Sequence, residues 1–439
     1  MLKKAAAFFC VLLLLSACTA IQVNRDQFEP EMLGLTPGST TADLNLNWYA
    51  TVKSGNVSQV RFFDEKGLVS AQAYQGTVSP ASKGKAAHKV SIKGLKPDTQ
   101  YRYSVSNDGI NWSREYNYRT AKTDRFSFAL VGDPQLTRRK QDGASNLFSA
   151  DKTTARGWKD TLKKIAAADV DFIAGVGDYV NHTSKGDEKE YRNFFAPAEL
   201  RAIPLAPAVG NHDRHYPFMY HFNLPNEQKF DPIVNDTNNN DPETGTVEAA
   251  GNYWYLYNNT LFVVLNTSAF PDSADAARPY IDRFDKTLSA AVSTNKEKYT
   301  WLFVQHHKPT VAYPFASKDV QYYVEAGFEK LMDTYNVDFV LSGHDHVYVR
   351  SYAIRDGKPV NTGKDLITNP GGTIYLTANT ASGHRYYDTF DTERVHVSIQ
   401  NKKPEYTIIE VAGRTVTFNT YDIDSEIPID TFTVTKQRP

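Results

Sequence analysis

Three short motifs place a carboxylate or an amide directly after a glycine: Gly132-Asp133, Gly177-Asp178 and Gly210-Asn211-His212-Asp213. Two more bring imidazoles, in Gln305-His306-His307 and Gly343-His344-Asp345-His346. Asp and Asn oxygens mixed with imidazole nitrogens suit Fe, Mn or Zn; calcium prefers all-oxygen shells, and thiolate-seeking metals find no cysteine in these motifs. Six or seven such donors are too many for one tetrahedral site. Two ions sharing a carboxylate, about 3.5–4 Å apart, are therefore implied, the spacing used for in-line displacement at phosphorus.

Such residues work together only if the fold gathers them, and the surrounding pattern says how. Arg125 to Val131 reads as a strand; Trp158, Leu162, Ile165 and Ala166 fall on one helical face; Asp171 to Val176 reads as a strand again. Further strands are expected at Leu205 to Val209, Tyr253 to Tyr257 and Leu261 to Leu265 across an Asn258-Asn259 turn, Trp301 to Gln305, Val337 to Leu341 and Thr373 to Thr377. The tail from Glu405 to Val434 reads as three strands. Each Asp or Asn of the first three motifs lies just past a strand's end, and in an open α/β sheet the carboxyl ends of neighbouring strands converge on one rim. Glycine at most of these turns permits close backbone approach and torsions that other residues resist.

Residues 34–121 show a different pattern: short alternating runs such as Leu44, Leu46 and Trp48, turns, and no helical periodicity. That is an all-β sandwich. Asn235 to Thr246 is expected to form a surface loop.

Forty-nine basic against fifty acidic residues leave a net charge of −1, so no global field or patch draws the chain to nucleic acid. The apolar run Ala5 to Leu15 is shorter than the ~20 residues of a spanning helix and has the layout of an export signal, after Lys3 and Lys4. Its end, Leu15-Ser16-Ala17-Cys18, resembles the lipobox of bacterial lipoproteins, in which the cysteine is acylated. That resemblance implies a signal peptide over 1–17, lipidation at Cys18, a tether over 18–33, and an exported protein anchored to a bacterial membrane, facing periplasm or exterior. Thr19 follows in place of an aspartate retention signal, so the outer membrane is expected in a Gram-negative cell. Cys10, the other cysteine, lies in the segment to be removed, which leaves the mature chain without a disulfide.

The order Gly-Asp, Gly-Asp, Gly-Asn-His-Asp, His, Gly-His-x-His resembles the calcineurin-like metallophosphoesterases from about Phe126 onward. The preceding sandwich, the segment Gly94-Leu95-Lys96-Pro97-Asp98-Thr99-Gln100-Tyr101, similar to a fibronectin type III tyrosine corner, and Trp301 to Pro309 make it most similar to the purple acid phosphatase-like branch. The resemblance implies a fibronectin type III-like β-sandwich followed, over 122–439, by a four-layer αββα metallophosphoesterase domain that includes the C-terminal strands. It implies one metal on Asp133, Asp178 and His346 and a second on Asp178, Asn211, His307 and His344, with Asp178 as the bridge. His307 matches the family ligand by its distance from Trp301 and Pro309; His306 is the alternative. His212, with Asn211, would face the phosphate, binding it or protonating the leaving oxygen, and Asp213 would orient His212.

Two departures from the family pattern bear on the first metal. Many members carry histidine two residues after the first Asp, where this chain has Gln135; purple acid phosphatases use a tyrosine three residues after the second, where this chain has Asn181. Tyr179 directly follows Asp178 and is too close in sequence to share its metal, so no phenolate ligand is expected. Gln135 or water would complete the shell. Weaker candidates are His182, reaching the pocket or staying at its rim, Gly383-His384-Arg385, and the basic run Arg138-Arg139-Lys140; Asp345 is read as a loop cap.

The activity implied is hydrolysis of phosphate esters, phosphomonoesters foremost, by hydroxide activated between two divalent or mixed-valence ions of Fe, Mn or Zn. The substrate would be a phosphorylated small molecule or nucleotide. The alternatives are a phosphodiesterase on the same scaffold and a non-catalytic surface-binding lipoprotein.

Overall fold

The computed structural model describes residues 28–437 except 54, 69–72, 138–149, 183–187, 214–215, 232, 234–249, 312–317, 364 and 390. Cys18, the signal segment, the basic run 138–140 and the expected loop at 235–246 lie outside the described residues.

The N-terminal unit is the expected sandwich. One sheet runs in the order Glu31–Pro37, Leu44–Thr51, Lys85–Ile92, Thr77–Pro80; the other runs Gly67–Leu68, Gln59–Asp64, Gln100–Ser106, Tyr116–Arg119. Leu46, Trp48, Val60, Phe62, Val90 and Tyr103 fill the space between them. Tyr101 makes the corner: its hydroxyl oxygen accepts from the Lys96 amide at 2.9 Å. The first strand starts at Glu31 and buries Met32 and Leu33, so the last three residues read as tether belong to the sandwich.

The second unit has four layers. A seven-stranded sheet, ordered Leu205–Pro207, Phe172–Gly175, Arg125–Val131, Glu405–Ala412, Thr415–Asp422, Asp430–Thr435, Leu366–Thr368, faces an eight-stranded one built around Thr260–Val264, Trp301–Gln305, Phe339–Ser342 and Thr373–Thr377. Phe128, Phe172, Phe262, Phe303, Phe339 and Phe418 pack between the sheets. Outside the first sheet lies the helix Ala150–Ala167, which buries Trp158, Leu162 and Ile165, the face read from their spacing. Outside the second lie the helices Ala274–Thr294, Lys318–Glu325 and Phe328–Thr334, burying among others Tyr280, Phe284, Leu288 and Met332. The αββα order expected from the resemblance is therefore present.

Parallel pairing joins Arg125–Val131, Phe172–Gly175 and Leu205–Pro207 in one sheet and Thr260–Val264, Trp301–Gln305, Phe339–Ser342 and Thr373–Thr377 in the other. Parallel strands end at the same rim, so the loops that follow them face one another across the two sheets.

The strand Leu44–Thr51 is buried on both faces, although its sequence alternates. Leu44, Leu46 and Trp48 enter the sandwich core; Asn45 and Tyr49 meet the second unit. There Asn45 Nδ2 donates to the Asn223 carbonyl at 2.8 Å, Asn223 Nδ2 donates to the Val90 carbonyl at 3.1 Å, and Lys89 Nζ donates to the Met219 carbonyl at 2.6 Å. Tyr49 stacks on His221 with centroids 4.5 Å apart. The sandwich thus holds the stretch that follows Asn211 and His212. Asn223→Ala removes the Nδ2 bonds to the Val90 and Leu46 carbonyls and the Ser91 hydroxyl, leaving the Asn45 bond to its main-chain carbonyl, and is expected to cost about 1–3 kcal/mol, read as a lowered denaturation midpoint of the whole chain. An unchanged midpoint would mean that this contact contributes nothing to holding the two units together.

Candidate metal centre

The loops after Val131, Gly175, Pro207, Gln305 and Ser342 bring the expected residues to one place. Ligand atoms of Asp178, His307 and His344 all lie within 4.8 Å of one another. Asn211 Oδ1 stands 2.9 Å from His307 Nε2, which is 3.4 Å from Asp178 Oδ2 and 3.2 Å from His344 Nδ1. Beside this group, His346 Nε2 faces Asp133 Oδ1 at 3.6 Å. Asp133, Asp178, His307 and His346 form a buried floor, while Asn211, His212 and His344 are partly exposed above it.

The backbone at these positions is unusual. Asp133, Gln135, Asp178, His344 and His346 all have positive φ, between 39° and 70°. Non-glycine residues resist this region, and its concentration here marks a site where geometry overrides local preference. The glycine before Asn211 is required by space: a Cβ on Gly210 would stand 2.0 Å from the Asp178 amide nitrogen and 2.1 Å from its Oδ1.

Whether a cation fits here can be decided from the hydrogens. His307 Nδ1 lies 2.8 Å from the Val176 carbonyl and His346 Nδ1 lies 2.9 Å from the Arg385 carbonyl. A carbonyl only accepts, so both Nδ1 atoms carry a proton and Nε2 is the atom that each ring turns to the centre. The Nε2 atoms face the carboxylate oxygens of Asp178 and Asp133, and that of His307 also meets the amide oxygen of Asn211. Imidazole nitrogens, carboxylates and an amide oxygen converging in this way are the donor types of Fe, Mn or Zn.

Electrostatics agrees. Burial, followed by the charge of Asp178, pushes the Asp133 carboxyl well above the usual range, against one amide bond from His344. For Asp178, burial is opposed and outweighed by His307 and His212, which hold it below the usual range. Burial pushes His346 down to about 4 and His344 well below its ordinary value, the latter helped by His307. Two carboxylates buried side by side are harder to ionise together than singly, and a cation between them relieves that cost.

His212 sits over the floor. Its amide donates to Asp178 Oδ1 at 2.8 Å, and its Nε2 is 4.0 Å from Asp178 Oδ2. Its Nδ1 donates to the Asn181 carbonyl at 2.8 Å, so the orienting group is this carbonyl and not Asp213. Asp213 instead accepts from the amides of Tyr179, Gly210 and Val180 at 3.0, 3.1 and 3.4 Å; it fastens two ligand loops together and takes no part as a partner of His212.

The other candidates separate clearly. His306 turns the opposite way from His307, against Phe328 with centroids 4.8 Å apart, and burial pushes it down to about 3; it is a core residue, not the alternative ligand. Tyr179 is buried among Phe194, Phe218 and Phe222 and donates its hydroxyl to the Gly175 carbonyl at 2.8 Å, away from the centre. Gln135 is buried, and its main-chain N–H donates to the Asp178 carbonyl at 2.7 Å, which ties the loop after Val131 to the loop after Gly175. His182 is exposed, and its main-chain amide donates to Glu190 Oε2 at 2.6 Å. Sequence reading undervalued the loop Thr380–Tyr387: Thr380 Oγ1 donates to the Asp133 carbonyl at 2.7 Å, and the His384 ring lies 6.0 Å from that of His346. Its position after one more parallel strand was the available signal.

Residues 126–348 match the calcineurin-like phosphoesterase family, and residues 30–120 match the N-terminal domain of purple acid phosphatases. The chain is 20% identical over 435 residues to acid phosphatase type 7 of Homo sapiens, covering 93% of this chain and 90% of that protein. It is 23% identical over 316 residues to a probable inactive purple acid phosphatase 1 of Arabidopsis thaliana, covering 66% of this chain but only 48% of that protein. A solved purple acid phosphatase from yellow lupin (Lupinus luteus) seeds shares the fold with a TM-score of 0.69 at 16% identity, over 93% of this chain and 74% of the other. The chain belongs to the calcineurin-like phosphoesterase family, whose chemistry is metal-dependent hydrolysis of phosphoric esters.

Proposed function

We propose that this chain hydrolyses phosphomonoesters with a pair of transition metal ions. Asp133, Asp178 and His346 would hold one ion and Asp178, Asn211, His307 and His344 the other, with Asp178 shared. The observation that carries the reading is the convergence of Asp178, His307, His344 and Asn211 from four separate loops onto one place, with potential ligand atoms within reach of one ion. When bound, such ions supply a water of lowered pKa as nucleophile and neutralise charge on the phosphoryl oxygens.

The protein groups do the remaining work. With Nδ1 committed to Asn181, His212 keeps Nε2 turned over the floor, where a proton on it can pass to the departing oxygen of the ester. The Val176 and Arg385 carbonyls fix the ring planes of His307 and His346 and keep their Nε2 atoms turned to the place where the ions would lie. Burial of Asp133, Asp178 and His307 keeps water from competing for the anionic oxygens. Export and a lipid anchor at Cys18 belong to the same proposal and rest on the Leu15 to Cys18 motif.

Two outcomes are expected. After reconstitution with Mn, Fe, Zn or Mg, phosphomonoesters should be turned over faster than phosphodiesters, and His212→Asn should lower kcat by about 10²–10⁴ at unchanged metal content. Faster diester turnover, or a variant as active as the parent, would refute the assignment. Because Tyr179 is held away by Gly175, protein loaded with ferric iron should show no phenolate-to-iron absorption in the visible range. A visible band abolished in Tyr179→Phe would show that this tyrosine is a ligand.

A further inference from the structure

The loop after Thr373–Thr377 is fastened to the ligand loops on both sides. The Ala381 amide donates to the Gly132 carbonyl at 2.7 Å, and the Ser382 hydroxyl donates to the Pro134 carbonyl. Opposite, the Arg385 carbonyl accepts from His346, and Gln400 Nε2 donates to the carbonyls of His346 and Tyr387 at 2.7 and 2.9 Å. The main chain of Arg385 is thereby fixed directly behind a metal-ligating imidazole.

Its side chain is exposed. Nη1 donates to the Tyr387 hydroxyl at 3.1 Å, and the guanidinium carbon stands 5.8 Å from the centroid of that ring, which is itself 5.3 Å from the His346 ring. Elsewhere in this unit Arg350 is paired with Asp430 and Arg394 with Glu329. Arg385 has only a neutral phenol, and no carboxylate among the described residues balances its charge. The nearby Lys308 is buried and turns its Nζ to the Ala269 carbonyl at 2.6 Å, so it is not presented to a ligand in the same way. A guanidinium held this way keeps donors in a planar fork that matches a carboxylate or a phosphate.

We propose that Arg385 recognises a second anionic group, a phosphate or carboxylate, on the alcohol part of the ester. This rests on the reading that the ester phosphorus sits over the cluster of Asp178, His307 and His344. The guanidinium contacts the Tyr387 ring, which in turn lies against the His346 ring, and the proposal therefore gives it the departing half of the substrate and not the scissile phosphoryl.

The test compares phenyl phosphate with 4-carboxyphenyl phosphate on the full metal-loaded chain. Arg385→Gln is expected to raise KM for the carboxylated ester by about fivefold, the scale of one exposed ion pair, with kcat and the phenyl phosphate kinetics within about twofold of the parent. Arg385→Glu should enlarge the loss on the carboxylated ester alone. Calorimetric titration with 4-carboxybenzylphosphonate, a non-hydrolysable mimic, should show the same weakening in the variants. Equal losses on both esters would put the guanidinium on the scissile phosphoryl and overturn the proposal, as would no loss on either. If the parent hydrolyses neither ester, the phosphoesterase reading itself falls, which is a result distinct from the other two.

Discussion

Two carboxylates, Asp133 and Asp178, are buried at the floor of one cleft with imidazoles around them; burial and the charge of Asp178 oppose ionisation of Asp133, and a cation among them offsets that cost. Every neighbouring feature serves that constraint. The Val176 and Arg385 carbonyls accept from the Nδ1 atoms and so turn Nε2 of His307 and His346 toward the carboxylates. Asp213, also buried, accepts from backbone amides of two loops of the site, which keeps those loops in register at a place without regular secondary structure.

The left-handed backbone at Asp133, Gln135, Asp178, His344 and His346 costs of order 1–3 kcal/mol per residue. It persists because rigid layers on either side leave the loops no alternative. The aromatic layer between the sheets fixes the parallel strands; the helices outside fix the sheets; and the sandwich fixes the segment beyond His212 through Asn45, Lys89 and Tyr49. The N-terminal unit therefore acts on the site through the chain it holds, without contributing a ligand of its own.

Much of this was legible in the sequence, because strand ends followed by Gly-Asp or Gly-Asn are local signals and the sheet brings them together by topology. The tyrosine corner at Tyr101 and the helical face of Trp158, Leu162 and Ile165 were legible for the same reason. The choice between His306 and His307 was harder: adjacent residues at a strand end point to opposite sides, and only the position of Phe328, twenty-odd places along the chain, shows which side is core. Asp213 was misread because proximity in sequence to His212 suggested a partnership that backbone amides from a distant loop take instead. The strand at Glu31 was missed since its burial depends on the neighbouring strand and the second unit, not on its own pattern. Arg385 gains its meaning only from the ring of Tyr387 and the imidazole of His346, contacts that no local pattern reveals.

The central claim is that one carboxylate, Asp178, serves two ions. Anomalous diffraction from crystals of the chain grown with manganese or zinc tests it directly. Two peaks about 3.5–4 Å apart on either side of Asp178 are predicted, with Asp133 and His346 at one and Asn211, His307 and His344 at the other. A single peak at saturating metal, or ions bound away from Asp178, would contradict it.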